Sequence, residues 1–248
     1  MLYDVVICKT DLYPMQRSTI IVAGGSGKRM GAAVPKQFLL LKGRPLLCWT
    51  IEAFQRFDPA MPIVLVLPGD QIPVWGALCI NFHFDVPHQV VAGGEERFHS
   101  VRNGLVCVTH DGLVAVHDGV RPLLSADLIT RCFTAAEAHG AAIPVVPISS
   151  SVRELTTEDS TSAPLYPSTP LRESRAVDRS RLRAVQTPQC FRAPLLRRAF
   201  ELPYDPAFTD EATLVERLGV AVHLVEGEEQ NIKVTTPFDL KVAEAVLG

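Results

Sequence analysis

Apolar residues along this chain gather into short unbroken runs, separated by segments with helical spacing, and few stretches alternate residue by residue. The runs at 19–22, 63–67, 113–117 and 141–146 are almost wholly aliphatic or β-branched, which predicts strands buried on both faces. Between them, 45–57 carries Leu46, Leu47, Trp49, Ile51, Ala53 and Phe54 at amphipathic helical spacing, with Pro45 near the first turn. Segments 100–108 and 125–139 read as further helices, the second opened by Ser125 and stopped by Gly140. Beyond them the pattern predicts a strand at 184–186, helices at 194–200 and 210–218, a strand at 220–225, and a last helix opened by Thr236, Pro237 and Asp239. Strands that alternate with helices predict an α/β fold, a mainly parallel twisted sheet with helices on both faces. In such sheets ligands bind beyond the carboxyl ends of the strands.

One stretch breaks the pattern. From 148 to 182 the composition shifts to Ser, Thr, Pro, Glu and Arg with little apolar periodicity, which predicts a projecting arm, because a loop that long inside a compact domain is functional or disordered. Residues 18–248 otherwise read as a single domain without internal repeats. Residues 1–17 read as a leader of unassigned order, with Met15 a natural start, and no fused second enzyme is expected after the last motif.

Composition narrows the possible partners. The chain has 248 residues, 47% of them hydrophobic, enough for a core without disulfides or structural metal. Lys and Arg total 24 against 27 Asp and Glu, a formal charge of −3. No general basic field invites nucleic acid, so any anion site must be local. The six cysteines are scattered without a C-x-x-C pair, as expected of reduced, buried thiols in a cytoplasmic protein. No apolar run approaches the roughly 20 residues of a membrane span, and the N-terminus lacks the form of a signal peptide.

The candidate chemistry begins where the first strand ends. Ala23-Gly24-Gly25-Ser26-Gly27-Lys28-Arg29-Met30 joins the strand to a glycine loop, and Pro35-Lys36-Gln37 follows. Glycines let backbone N–H groups approach an anion, and Lys28, Arg29 and Lys36 supply charge where phosphate oxygens would lie. The P-loop pattern is absent, since Gly27-Lys28 is followed by Arg29. Gly25, Gly27 and Gly31 resemble some nicotinamide-binding loops, but the nearest acid at the ribose-binding distance, Glu52, falls in a predicted helix. Two further polar clusters also follow predicted strands: Gly93-Gly94-Glu95-Glu96-Arg97 and His117-Asp118-Gly119-Val120-Arg121-Pro122.

With Val177-Asp178-Arg179 leading to Gln186-Thr187-Pro188-Gln189, and with Glu226-Gly227 before Asn231-Ile232-Lys233-Val234-Thr235, these blocks resemble the 2-C-methyl-D-erythritol 4-phosphate cytidylyltransferases of isoprenoid precursor synthesis. The resemblance runs from about Ser18 to Leu247. It implies a Rossmann-like nucleotidyltransferase fold and transfer of CMP from CTP to the phosphate of methylerythritol phosphate, with Mg²⁺. A phosphate monoester has a second pKa of about 6 and is largely ionised at neutral pH, so a site rich in Arg and Lys needs no general base.

By that resemblance Arg29, Lys36 and Lys233 are catalytic, Asp118 binds the metal, and Ala23, Gly24, Gly25, Gly27, Gly94, Glu95, Ser100 and Gly119 bind CTP. Arg121, Ser151, Arg179 and Thr187 would grip the sugar phosphate. Ser151 and Arg179 would do so in the neighbouring subunit of a homodimer clasped by the arm. Blander readings exist for several: Ser100 as a helix N-cap, Asp118 as a turn cap, Lys36 and Lys233 as solvated charges, Arg97 as a brace for its own loop, and His117 as a packing residue. The chain departs from the family at Ser149-Ser150-Ser151, where an Asp-Thr pair is common, and at Gly24, where alanine is frequent. The segment 158–175 is longer than usual. Ribitol 5-phosphate cytidylyltransferase, NADP-dependent oxidoreductase and a noncatalytic sugar-nucleotide sensor are the competing readings.

Overall fold

A computed structural model of the chain describes residues 15–24, 34–155 and 174–248. In chain order these form β1 (Arg17–Val22), a 3-10 turn at Lys36–Phe38, the small antiparallel pair β2 (Leu40–Leu41) and β3 (Arg44–Pro45), and α1 (Leu46–Phe57). β4 (Ile63–Leu67), α2 (Ile72–Asn81), β5 (Gln89–Ala92), α3 (Arg97–Leu105), β6 (Leu113–Asp118), α4 (Ala126–His139) and β7 (Ala141–Pro147) continue the alternation. β8 (Val152–Leu155), β9 (Ser174–Val177), β10 (Arg183–Val185), β11 (Gln189–Arg192), α5 (Ala193–Ala199), α6 (Glu211–Glu216), β12 (His223–Glu226) and α7 (Pro237–Val246) follow.

Eight strands make one sheet in the order β10-β7-β11-β6-β1-β4-β5, with β12 also on β7. β1 pairs parallel with β4 and β6, β4 with β5, and β12 with β7. β10 and β11 run antiparallel to their neighbours. Successive strand residues point to opposite faces, and here both faces are buried. Ile21, Leu65 and Ala115 join the layer with α1, α4 and Trp75 of α2, whereas Ile20, Val64, Val66, Val114 and Val116 pack under α3, α5 and α6. Each such Ile, Leu or Val side chain contributes about 1.5–3 kcal/mol by leaving water, which explains why the strands read as unbroken apolar runs.

The helix punctuation matches the sequence signals. Ser125 Oγ accepts from the Leu128 N–H at 3.0 Å, Gly140 ends α4 at φ +91°, and Thr236 and Asp239 form a reciprocal cap on α7. Other boundaries differ. α3 begins at Arg97, three residues before the expected start, with Glu96 in the extended cap conformation. Ser100 therefore lies inside the first turn and is not an N-cap. The pairing on β7 starts at His223, because Val220 and Val222 turn onto the hydrophobic layer before the strand begins. α2 has no counterpart in the sequence pattern: Ile-Pro-Val-Trp-Gly-Ala-Leu-Cys-Ile-Asn is apolar nearly all round, so no polar face marks a period. β11 is four residues long and too short to carry one.

Within 148–182 the chain leaves the main sheet. β8 and β9 pair antiparallel as a separate two-stranded ribbon, with Arg153 bonded to Ser174 and Arg175 to Glu154. Nearly all of its side chains are exposed or half-buried, in keeping with its polar composition. Among the described cysteines Cys48, Cys132 and Cys190 are buried and unbridged. Among the described residues no helix is long and apolar enough to cross a membrane.

Candidate active site

The carboxyl ends of the parallel strands β1, β4, β5 and β6 meet at one edge of the sheet, and the backbone ladder runs one residue beyond them. The Ala23 N–H donates to the Val66 carbonyl at 3.0 Å, Gly93 to Leu67 at 2.8 Å, and Gly119 to Val22 at 2.9 Å. These bonds fix the floor of a cleft of about 280 Å³ that takes in Ala23, Gly24, Lys36, Gln37, Gly94, Glu95, Arg97, Ser100, Asp118 and Lys233. Small residues keep the floor low. A Cβ on Gly119 would stand 2.8 Å from the Ala23 Cβ, and one on Gly94 would stand 2.4 Å from the His99 Cβ. Ser100 Oγ accepts from the Gly94 N–H at 3.1 Å, so this hydroxyl ties the loop after β5 to α3.

A second cleft of about 180 Å³ opens beside the first, lined by Arg121, Gln186, Thr187, Gln189, Thr209 and Asp210. The two share three residues: Arg97, Asp118 and Lys233. Asp118, the last residue of β6, is the hub of this seam. Its Oδ2 takes Lys233 Nζ at 3.1 Å and Arg121 Nε at 3.2 Å, while Oδ1 faces Arg97 at 3.9 Å. Burial alone would push the Asp118 carboxyl up, but Lys233, Arg97 and Arg121 hold it well below the usual carboxylate range. It is therefore a permanent anion among three cations.

Each cation is placed by a different part of the chain. Lys233 follows β12, where the Val234 N–H bonds to the Val120 carbonyl at 2.9 Å. Arg121 donates to the Asn231 carbonyl at 2.7 Å. Arg97, at the start of α3, reaches across to Glu211 at the start of α6. Burial raises the Glu211 carboxyl although Arg97 opposes it, and Glu211 and Asp118 raise Arg97 against its own desolvation. Arg97 thus joins the seam and is not merely a brace for its own loop. Glu211 follows the capping residue Asp210, and its burial to 2% exposure leaves no trace in the sequence.

Behind the seam lies a closed polar network. The Thr187 hydroxyl accepts from the Asp118 N–H at 3.1 Å and lies 2.9 Å from His117 Nδ1. His117 Nε2 lies 3.2 Å from the Arg121 carbonyl, which only accepts, so Nε2 carries the proton and Nδ1 accepts from Thr187. Burial lowers His117 to about 4, leaving the ring neutral. Gln186 bonds to the carbonyls of Glu228 and Asn231, and Asn231 Nδ2 to the Thr187 carbonyl at 2.8 Å.

Of the residues marked by the sequence, Ala23, Gly24, Lys36, Gly94, Glu95, Ser100, Asp118 and Lys233 meet in the first cleft, and Arg121 and Thr187 join Asp118 and Lys233 in the second. Gly119 sits behind Ala23 and lines neither. Ser151 and Arg179 lie by the arm, outside both clefts. Gly25, Gly27 and Arg29 lie outside the described residues. Glu52 is on α1, paired with Arg44 and Arg56, and does not stand at a strand end where a nicotinamide ribose would need it.

Among the described residues no group of three or more His, Cys, Asp or Glu forms a metal cage. Mg²⁺ does not need one, since it is held by one or two carboxylates and substrate phosphates. The ionised Asp118, with Oδ1 engaged among the described residues only by the long Arg97 contact, fits that donor set.

Comparison with known proteins identifies the family and the fold. Residues 18–248 match the family described as IspD, 2-C-methyl-D-erythritol 4-phosphate cytidylyltransferase. A protein of that name from Bacteroides fragilis is 50% identical over 233 residues, covering 94% of this chain and all of the relative. Its counterpart from Porphyromonas gingivalis is 48% identical, covering 94% and 98%. The crystal structure of the Thermus thermophilus protein of the same name superposes with a TM-score of 0.71 at 34% identity, covering 94% of this chain and 98% of that one.

Proposed function

The chain belongs to the 2-C-methyl-D-erythritol 4-phosphate cytidylyltransferase family, and from that premise we propose how its two clefts divide the work. The protein transfers CMP from CTP to 2-C-methyl-D-erythritol 4-phosphate, giving 4-diphosphocytidyl-2-C-methyl-D-erythritol and pyrophosphate in the non-mevalonate isoprenoid pathway. The first cleft takes CTP and the second takes the sugar phosphate. The observation that carries this division is the shared seam: substrate phosphates entering from either side meet at Lys233, Arg97 and Asp118.

Gly24 offers its backbone N–H to the cytosine and Ala23, whose own N–H is spent on Val66, offers its carbonyl, while Gly94, Glu95 and Ser100 border the base. Gly119 acts from behind by letting Ala23 sit low. Lys36, with Arg29 and the amides of Gly25 and Gly27, holds the triphosphate. In the second cleft Thr187, whose hydroxyl proton goes to His117, forms the wall beside the acceptor phosphate, and the Arg121 guanidinium holds that phosphate. One of its oxygens forms a bond to the α-phosphorus as the bond from that phosphorus to the bridging oxygen of pyrophosphate breaks. Lys233 faces the charge that accumulates on the α-phosphate oxygens between these events. Asp118 would hold Mg²⁺ together with the triphosphate oxygens, and the ion, when bound, supplies Lewis-acid polarisation of the α-phosphate and charge for the leaving pyrophosphate. No side chain has to remove a proton.

We also assign the arm to a homodimer in which Ser151 and Arg179 complete the acceptor site of the partner, and the reaction to the cytoplasm. The ribbon's exposed Leu155 and the exposed Val185 at the mouth of the second cleft support the dimer. A mixture of Arg179→Ala chains with Lys233→Ala chains, each nearly inactive alone, is expected to regain turnover, since a mixed dimer holds one intact site. Absence of recovery after verified subunit exchange would overturn the trans assignment. Acceptor choice tests the activity itself. Pyrophosphate release from CTP is expected to favour methylerythritol phosphate over ribitol 5-phosphate by about 10³-fold in kcat/KM, as befits a site that hydrogen-bonds its substrate; preference for ribitol 5-phosphate would refute it.

A further inference from the structure

We propose that His117 is a positioning residue for the acceptor phosphate: one buried ring orients both Thr187 and Arg121, and so sets the second cleft without touching substrate. The inference rests on the reading of that cleft as the acceptor site. His117 has no exposure at all and stands edge-on to Phe54 with ring centroids 5.2 Å apart, which leaves the imidazole little freedom to turn. Its two nitrogens are both engaged. Nδ1 accepts from the Thr187 hydroxyl at 2.9 Å, and Nε2–H donates to the Arg121 carbonyl at 3.2 Å.

The consequence for Thr187 is directional. A hydroxyl has one proton and two lone pairs. One lone pair here accepts from the Asp118 N–H and the proton goes to His117, so the oxygen is fixed in place against β6. For Arg121 the consequence is translational, because the ring holds its carbonyl while the guanidinium is held by Asp118 and the Asn231 carbonyl. Asn231 closes the ring from the far side by donating to the Thr187 carbonyl. Arg121, which grips the phosphate, and Thr187, which walls the cleft beside it, come from distant parts of the chain and are thereby spaced by one imidazole, which no apolar side chain of the same size would do.

His117→Gln keeps a donor long enough to reach the Arg121 carbonyl and gives up the ring acceptor for Thr187. The expected result is a KM for the acceptor raised about tenfold, with KM for CTP unchanged within about twofold. Thr187→Val tests the underlying reading, and it too should raise the acceptor KM. In the Thr187→Val background, His117→Gln should add less than about a twofold further change, since the contact it breaks is already gone. If Thr187→Val leaves the acceptor KM unaltered, the reading of the cleft fails. If Thr187→Val raises it but His117→Gln does not, or the two effects multiply in full, the inference about His117 fails while the cleft assignment stands. Should His117→Gln be too unstable to assay, His117→Asn, which keeps an acceptor near Nδ1 but is too short to reach the Arg121 carbonyl, is expected to raise the acceptor KM about tenfold with KM for CTP unchanged; an unaltered acceptor KM in that variant would contradict the role assigned to Nε2.

Discussion

Asp118→Asn is expected to lower kcat/KM about 10³-fold or more, because it removes the anion around which the seam is organised and the carboxylate assigned to the divalent ion. Asparagine keeps the shape and offers an oxygen, so steric damage is small. What changes is charge: Lys233, Arg97 and Arg121 would face one another, with only Arg97 keeping its ion pair with Glu211 among the described residues. Leaving a buried cation without its partner costs about 3–5 kcal/mol, so the melting temperature should fall as well. The catalytic loss is separable from that fall. At a temperature where the variant is fully folded, raising Mg²⁺ and both substrates to saturation should leave kcat depressed. Full recovery of kcat under those conditions would mean that Asp118 only holds the fold.

Lys233→Ala is expected to lower kcat about 10²- to 10³-fold with smaller changes in either KM, the pattern of a contact made chiefly as charge develops on the α-phosphate. Lys233 is the seam cation with the greatest exposure, 42% of its side chain, against 28% for Arg97 and 10% for Arg121. It is therefore the one able to leave Asp118 and turn toward substrate. Lys233→Arg should rescue poorly, because a planar guanidinium cannot occupy the space of a compact ammonium ion. Single-turnover rates at saturating substrates give the measurement. A variant with normal kcat and a raised KM for CTP would assign Lys233 to ground-state binding alone.

Much of this is legible in the chain. The buried strands are legible because both faces of the sheet are covered, so Ile63–Leu67 has no polar position to interrupt it. The rule that ligands gather beyond such strands then places Ala23, Gly94 and Asp118 together from sequence alone. Caps are equally plain, since Ser125 and Thr236 act through bonds within four residues. The illegible parts depend on long-range partners. Arg97 finds Glu211 across 114 positions, and the Thr187 hydroxyl finds His117 across 70; neither pairing leaves a local pattern. Ser100 reads as an N-cap until the helix is seen to start at Arg97, which turns its hydroxyl to the Gly94 loop. α2 is invisible for the opposite reason, a composition too uniformly apolar to reveal a period.

Cations gathered along one seam are enough for this reaction if the nucleophile is ionised by its own chemistry. The pH dependence of single-turnover kcat/KM for the acceptor decides whether it is. One acid limb is expected at about pH 6, the second ionisation of the acceptor phosphate, followed by a level rate through about pH 9. An acceptor phosphonate fluorinated beside phosphorus, with a lower second pKa, should carry that limb downward with it. A limb that stays in place when the acceptor is changed would belong to a group on the protein, and catalysis by a proton acceptor would then replace activation by charge alone.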